Sequence, residues 1–190
     1  MCVVRCAKVL TNAERLRFDV ASIVPGSNFL TFPRFPDSGR NFRSSPIDQR
    51  ISIITLGVAD LKRSRAFYDA LGWKVASEEQ ADQIVAYDLV SMTLCLYPLD
   101  KLGEDAKINV QRQEYSTITL AYNVRSEEEV DTVLEEAVKA GGKLVKSAEK
   151  VFWGGYSGYF ADPDGNLWEV AFNPFSKLGE NGEFRWLGYE

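Results

Sequence analysis

Residues 159–174 read YFADPDGNLWEVAFNP, from Tyr159 to Pro174, in a chain of 190 residues that contains no histidine. Asp162-Pro163-Asp164-Gly165 is turn chemistry: proline presets φ near −65° and glycine accepts positive φ, so the chain reverses tightly between two apolar runs. The stretch therefore predicts a β-hairpin. In its second strand, period-2 alternation puts Trp168, Val170 and Phe172 on one face and Leu167, Glu169 and Ala171 on the other. A carboxylate at that position faces either water or a polar cavity.

Working outward, the same order of elements occurs twice. Ile51 to Val58 is β-branched and apolar, and a helical stretch follows in which Ala66, Phe67, Ala70 and Leu71 are expected to share a face, with Gly72 as the stop. Trp73 to Ser77, Ile84 to Val90 and Met92 to Pro98 read as three further strands. Ser116 to Val124 opens the second series. Ser126 and Glu129 have capping-box spacing, and Val130, Val133, Leu134 and Ala137 recur at helical spacing up to Gly141-Gly142. Lys143 to Val151, Ser157 to Ala161 and Asn166 to Phe172 complete it. The pattern predicts an α+β chain of two βαβββ modules, about 51–98 and 115–174, within a domain over 49–176. A polar linker of roughly Leu99 to Tyr115 joins the modules, and 177–190 is a C-terminal tail.

Composition narrows the partners. Hydrophobic residues make up 45% and charged residues 26%, as in a soluble globular protein. No apolar run approaches the roughly 20 residues that cross a bilayer. Residues 1–50 carry eight Lys/Arg and four Asp/Glu, the remainder 14 and 23, so a net +4 precedes a body of −9. An acidic body argues against nucleic acid or an anionic membrane as partner. Cys2, Cys6 and Cys95 are too few for a disulfide framework, which favours a reducing cytoplasmic setting. Residues 1–48, rich in Pro, Gly and Ser breakers, read as a loosely ordered extension. The alternative is a transit peptide and a mitochondrial or plastid location, although Glu14 and Asp19 spoil the acid-poor pattern.

The duplication, with LGVADLKRSRAFYDALGW over Leu56 to Trp73 and DPDGNLWE over Asp162 to Glu169, resembles the vicinal oxygen chelate superfamily of glyoxalases, extradiol dioxygenases and bleomycin-resistance proteins. The resemblance implies that the modules' strands curl into an incompletely closed barrel, with helices on the convex side and a ligand on the concave side. It also implies a homodimer. Helix-facing positions such as Leu56, Val58, Leu96, Ile118, Trp168 and Val170 should then be buried. The concave set is Ile53, Thr55, Thr93, Cys95, Thr117, Thr119, Ala121, Glu169 and Ala171.

Family enzymes hold a divalent metal with four His, Glu or Gln side chains, two from each module. Here the resemblance places Ile53, Thr93 or Cys95, Thr119 and Glu169 at those positions, so only the glutamate remains as a strong ligand. Transition-metal sites need three or four imidazole, thiolate or carboxylate donors, and no metal cofactor is expected. If a metal binds, Glu169 is its ligand.

The candidate ligand-binding residues are Thr55, Thr93, Cys95, Thr119, Glu169 and two aromatics of a possible lid, Trp153 and Tyr156. Glycines 154, 155 and 158 interrupt that lid, which reads equally as strand core with a bulge. Glu169 is either a general base or a remnant bonded to a neighbouring hydroxyl. Cys95 has no histidine to activate it and reads as a small apolar residue. Two function classes follow. One is a metal-free module that binds a small, flat, neutral or basic molecule. The other is a lyase, isomerase or dioxygenase that uses Glu169 as a base or within an unconventional metal site.

Overall fold

The computed structural model describes residues 49–111 and 113–190. The N-terminal extension, and with it the question of a transit peptide, lies outside the described residues. Two mixed sheets are built in chain order. Strand β1 (Ile53–Val58) leads to helix α1 (Leu61–Ala70), then β2 (Val85–Asp88), β3 (Thr93–Pro98) and helix α2 (Leu99–Ala106). Then come β4 (Thr119–Val124), helix α3 (Glu127–Lys139), β5 (Lys143–Lys150), β6 (Tyr156–Ala161) and β7 (Leu167–Phe172).

The first sheet has the order β1-β3-β2 and the second β4-β7-β6-β5. In each, the first and last strands of the module lie parallel and the rest pair antiparallel. The first sheet lacks one strand of the repeat. Trp73–Ser77, expected as a strand, makes a single ladder-type bond, Ala76 N to Ala86 O at 2.8 Å. Trp73 N bonds instead to Tyr68 O at 3.1 Å, which ties the start of the segment to the end of α1.

Helix ends follow local chemistry. Asp60 caps α1 by accepting from Lys62 N and Arg63 N at 3.0 and 3.1 Å. Ser126 Oγ accepts from Glu129 N at 3.2 Å, and Glu129 reaches back to Arg125 N at 2.9 Å. The return bond of this capping box therefore lands one residue earlier than the motif prescribes. Glu127, Glu128 and Glu129 sit where the helix dipole favours acids, and Lys139 lies in the last turn.

The buried face of α1 is not the expected one. Ser64, Phe67 and Tyr68 are buried, while Ala66 and Ala70 are exposed. The reason is polar. Ser64 and Tyr68 bond to carboxylates of the β6–β7 turn, which satisfies groups that would otherwise be costly to bury. In α3 the buried Val130, Leu134 and Ala137 match the apolar periodicity. Phe67 packs on Phe160 at 6.2 Å, Tyr68 on Trp168 at 6.3 Å and Trp73 on Trp168 at 5.8 Å between ring centroids. One core thus joins both modules. Each fully buried apolar side chain in it contributes about 1.5–3 kcal/mol.

The expected linker contains α2, and its placement matters. Tyr97 OH donates to Asp105 Oδ2 at 3.1 Å. A Cβ added to Gly57 would lie 2.6 Å from Leu99 Cδ1 and 3.1 Å from Leu102 Cδ2. Gly57 and Tyr97 are cross-strand partners on the face of β1 and β3 that points away from Leu56, Leu96 and the core. Helix α2 therefore lies on the open side of the first sheet. Ile118, expected in the core, precedes β4 and is 68% exposed.

Candidate functional site

The second sheet builds a polar row across its open face. Register places Ala121 of β4 beside Glu169 of β7, Glu169 beside Tyr159 of β6, and Tyr159 beside Lys146 of β5. Paired residues project from the same side, so this is one continuous row opposite Trp168 and Val170. Glu169 and Tyr159 are both half-buried. Burial first, and the Glu169 carboxylate second, push the Tyr159 phenol up to about 12. The phenol is thus a proton donor throughout the neutral range. Lys146 Nζ stands 5.9 Å from the Tyr159 ring centroid and pairs with Glu149 Oε1 at 3.0 Å.

Of the candidate residues, Thr119 shares the open face with Glu169, one alternation step along β4, and is exposed. Tyr156 projects to the helix side instead. It pairs with Phe172, and its hydroxyl donates to Asp131 Oδ1 of α3 at 3.1 Å. Trp153 belongs to the β5–β6 turn, where Val151 N bonds Gly155 O at 3.0 Å, and its ring folds over Gly155. The Tyr156–Phe172 pair is three ladder positions from the Glu169–Tyr159 pair, about 10 Å at 3.3 Å per residue, and Trp153 lies beyond it. The structure therefore does not gather the two expected lid aromatics around Glu169.

Thr55, Thr93 and Cys95 belong to the first sheet. Thr55 pairs with Cys95, which is fully buried, and Thr93 Oγ1 donates to Asp88 Oδ1 at 2.9 Å. Tyr159, which is not among the candidate ligand-binding residues, is the side chain that Glu169 meets on this face. Its signal lay in the hairpin itself: a turn centred on Asp164 pairs the residues five positions before and after it, Tyr159 and Glu169.

Among the described residues, no three His, Cys, Asp or Glu side chains converge as a metal cluster. Glu169 has a phenol, an alanine and a threonine for neighbours on its face, and Cys95 is buried in the other sheet. Hydroxyls and one carboxylate do not fit the donor set a transition metal needs.

The two acids of the DPDG turn, Asp162 and Asp164, serve the fold. Asp162 Oδ1 accepts from Asp164 N and Asn166 N, both at 2.9 Å, and Oδ2 accepts from Tyr68 OH at 2.8 Å and Asn166 Nδ2 at 2.9 Å. Asp164 accepts from Ala59 N at 2.9 Å, Arg63 Nη2 at 2.8 Å and Ser64 Oγ. Each motif of the duplication thus holds the other: the turn of the second module grips the start of α1 in the first. Gly165 is required there twice over, by its φ of +81° and because a Cβ would lie 2.2 Å from Glu114 O.

Comparison with known proteins agrees with this architecture. The model of the Glyoxalase/Bleomycin resistance protein/Dioxygenase superfamily matches residues 50–170. A glyoxalase-related enzyme from Fulvimarina pelagi is 36% identical with a TM-score of 0.67, over 74% of this chain and 99% of that one. A hypothetical protein from S. aureus is 26% identical with a TM-score of 0.58, over 67% and 95%. A lactoylglutathione lyase from Agrobacterium tumefaciens, at 22% identity and a TM-score of 0.51 over 67% and 96%, shares the fold. No curated protein matches. The duplicated modules, their sheet orders and the matched span place the chain in the glyoxalase/bleomycin resistance protein/dioxygenase superfamily.

Proposed function

We propose that the chain binds a small molecule on the open face of the second sheet, without a divalent metal, as the bleomycin-resistance type of family member does. The observation that carries this reading is the Glu169–Tyr159 pair. A carboxylate beside a phenol that keeps its proton offers one acceptor and one donor, half-buried in a row with Ala121 and Thr119 on one side and Lys146, already paired with Glu149, on the other. Such a pair recognises a neutral or basic ligand with a donor for Glu169, and the acidic body favours the same charge. The chain acts as a homodimer in this reading, and a second copy covers the exposed face.

The alternative is an enzyme in which Glu169 is a general base that removes a proton beside a carbonyl. What favours it is the 36% identical relative, described as a glyoxalase-related enzyme. Tyr159 is then the acid that returns the proton.

A thermal-shift screen of aromatic, basic and 2-oxo compounds, with and without divalent ions, tests the reading. A true ligand at a hundred times its Kd stabilises by about 2.7 kcal/mol. The hit is expected to need no divalent ion and to weaken at least tenfold in Glu169→Gln. A hit that binds Glu169→Gln unchanged removes the site from this face. Turnover of a 2-oxo compound that Glu169→Gln abolishes selects the enzyme.

A further inference from the structure

Two turns at one end of the second sheet, the end away from the DPDG turn, are built alike. Val151-Phe152-Trp153-Gly154 closes with Gly154 N bonded to Val151 O at 2.9 Å, and Arg185-Trp186-Leu187-Gly188 closes with Gly188 N bonded to Arg185 O at 2.9 Å. Both end on a glycine of positive φ, +94° and +77°. Turn corners favour Gly, Pro, Asn, Asp and Ser, yet these hold Phe152, Trp153, Trp186 and Leu187. We propose that the two turns, with Phe175 between them, are the surface through which two copies of this chain associate.

Three observations carry the assignment. The first is the size of the apolar surface. Phe152 is fully exposed, Phe175, Trp186 and Leu187 are 72%, 84% and 91% exposed, and Trp153 and Phe184 are exposed in part. Aromatic side chains bury about 150–250 Å² each when covered, so these six present on the order of 800 Å². That exceeds the largest apolar patch of an ordinary monomer, about 300–600 Å². It matches one partner's share of a standard interface, about 800 Å².

The second is that the patch is fastened. Phe175 N bonds Asn173 Oδ1 at 2.9 Å, and the Phe175 ring leans on the first turn, where a Cβ added to Gly154 would lie 3.2 Å from Phe175 Cε2. The next residue, buried Ser176, donates Oγ to Trp186 O of the second turn at 2.8 Å. Tyr189 N bonds Lys177 O at 2.9 Å, Leu178 is buried, and Arg125 Nη2 donates to Gly179 O at 2.6 Å. The chain thus holds these apolar side chains outward in a fixed arrangement. Such pre-ordering lowers the entropy lost on association.

The third is charge. In the two turns, and within two positions of them or of Phe175, stand Lys150, Lys177 and Arg185 against Glu149, Glu183 and Glu190. Equal numbers of each sign around an apolar centre suit a surface that meets itself across a twofold axis, where each charge can face its opposite. An anionic membrane needs a net basic rim, and the acidic body opposes it. The inference rests on the homodimer of the proposed reading and adds which surface the copies share.

The test is sedimentation equilibrium of the full chain at micromolar concentration, which is expected to give twice the chain mass. Phe152→Ser with Trp186→Ser puts turn-favouring residues at two corners, so circular dichroism should be unchanged while the dimer Kd rises about a hundredfold or more. Trp186→Phe keeps the apolar surface and reports its position. Tryptophan emission of the parent should move to longer wavelength as the dimer is diluted apart, and that shift should be smaller in Trp186→Phe. Glu169→Gln should leave the mass unchanged, so loss of ligand binding and loss of the dimer are read separately. A monomeric parent overturns the inference, and a monomer that co-sediments with anionic vesicles gives the patch to a membrane instead. A dimer that Phe152→Ser with Trp186→Ser does not weaken overturns it too, while leaving a homodimer through another surface. An equal dilution shift in Trp186→Phe, or dissociation by Glu169→Gln alone, also overturns it.

Discussion

Tyr68 donates its hydroxyl to Asp162 Oδ2 at 2.8 Å across 94 positions of chain, and both residues are buried. This bond fastens the middle of α1 to the turn that makes the second-sheet hairpin. It also explains why a family motif in each module is polar where a core should be apolar. Hydrogen bonds to a charged partner are worth about 1.5–3 kcal/mol. Tyr68→Phe, which removes the hydroxyl and keeps the ring, is therefore expected to cost about that much in urea unfolding. Asp162→Ala strands the Tyr68 hydroxyl and the three other donors, so its cost should be larger. A Tyr68→Phe protein as stable as the parent would show that the bond adds nothing to the fold.

Gly57 faces α2 so closely that an added Cβ would meet the Leu99 and Leu102 side chains and lie 3.7 Å from Leu99 Cα. The atoms in the way are the flexible ends of Leu99 and Leu102, so Gly57→Ala is expected to be tolerated and Gly57→Val to push α2 from the first sheet. Cys95 is on the same face as Gly57, one alternation step along from its partner Tyr97, and is fully buried. In a background with Cys2 and Cys6 replaced by serine, Cys95 should react slowly with a thiol reagent. Gly57→Val should accelerate that reaction at least tenfold. Unchanged reactivity would mean that α2 is not what covers this face.

Much of the fold was legible because local chemistry and global structure agree. The DPDG turn, the Ser126 cap and the Gly141 stop each act within a few residues, and alternation around Glu169 assigns its face without further information. What stayed hidden depends on contacts far along the chain. Periodicity puts Ala66 and Ala70 inside α1, yet Ser64 and Tyr68 are there because Asp164 and Asp162 satisfy them. Helix α2 offered only Leu99 and Leu102 at helical spacing, with Gly103 inside it, a thin signal in a charged segment. Tyr156 follows the alternation of Phe172 and so faces α3, whereas Tyr159 meets Glu169. Glycine spacing suggested a lid, but hairpin register assigns the faces.

Four phenols are held above their ordinary 10.0, Tyr156 among them through burial and then Asp131. Tyr68 is raised by burial and then by Asp162, Tyr87 by burial and then by Asp69, and Tyr159, to about 12, by burial and then by Glu169. A group with a raised folded pKa stabilises fully below its unfolded value, and that stability is lost as pH rises through the folded one. Melting temperature should thus carry no tyrosine-linked loss below pH 10 and fall steadily from there toward pH 12. Absorbance at alkaline pH should show at least one tyrosine titrating near 12, and Glu169→Gln should bring that step down. If the step does not move, the carboxylate does not act on the phenol.

The donor set around Glu169 sets the last expectation. A carboxylate can hold a transition metal only with further imidazole, thiolate or carboxylate ligands, and the chain has no histidine, while its described cysteine is buried in the other sheet. Element analysis of tag-free protein should find well below one equivalent of zinc, iron, manganese, nickel or cobalt per chain. Adding two donors beside Glu169 is the sharper experiment, because it asks whether the scaffold or only the chemistry is missing. Ala121 is the cross-strand neighbour of Glu169 on the same face, and Thr119 lies one step along it. Thr119→His with Ala121→His should give three convergent donors and bind zinc measurably, while the parent does not. Zinc bound tightly by the parent would show that other groups complete the site and would return the metal-dependent reading to first place.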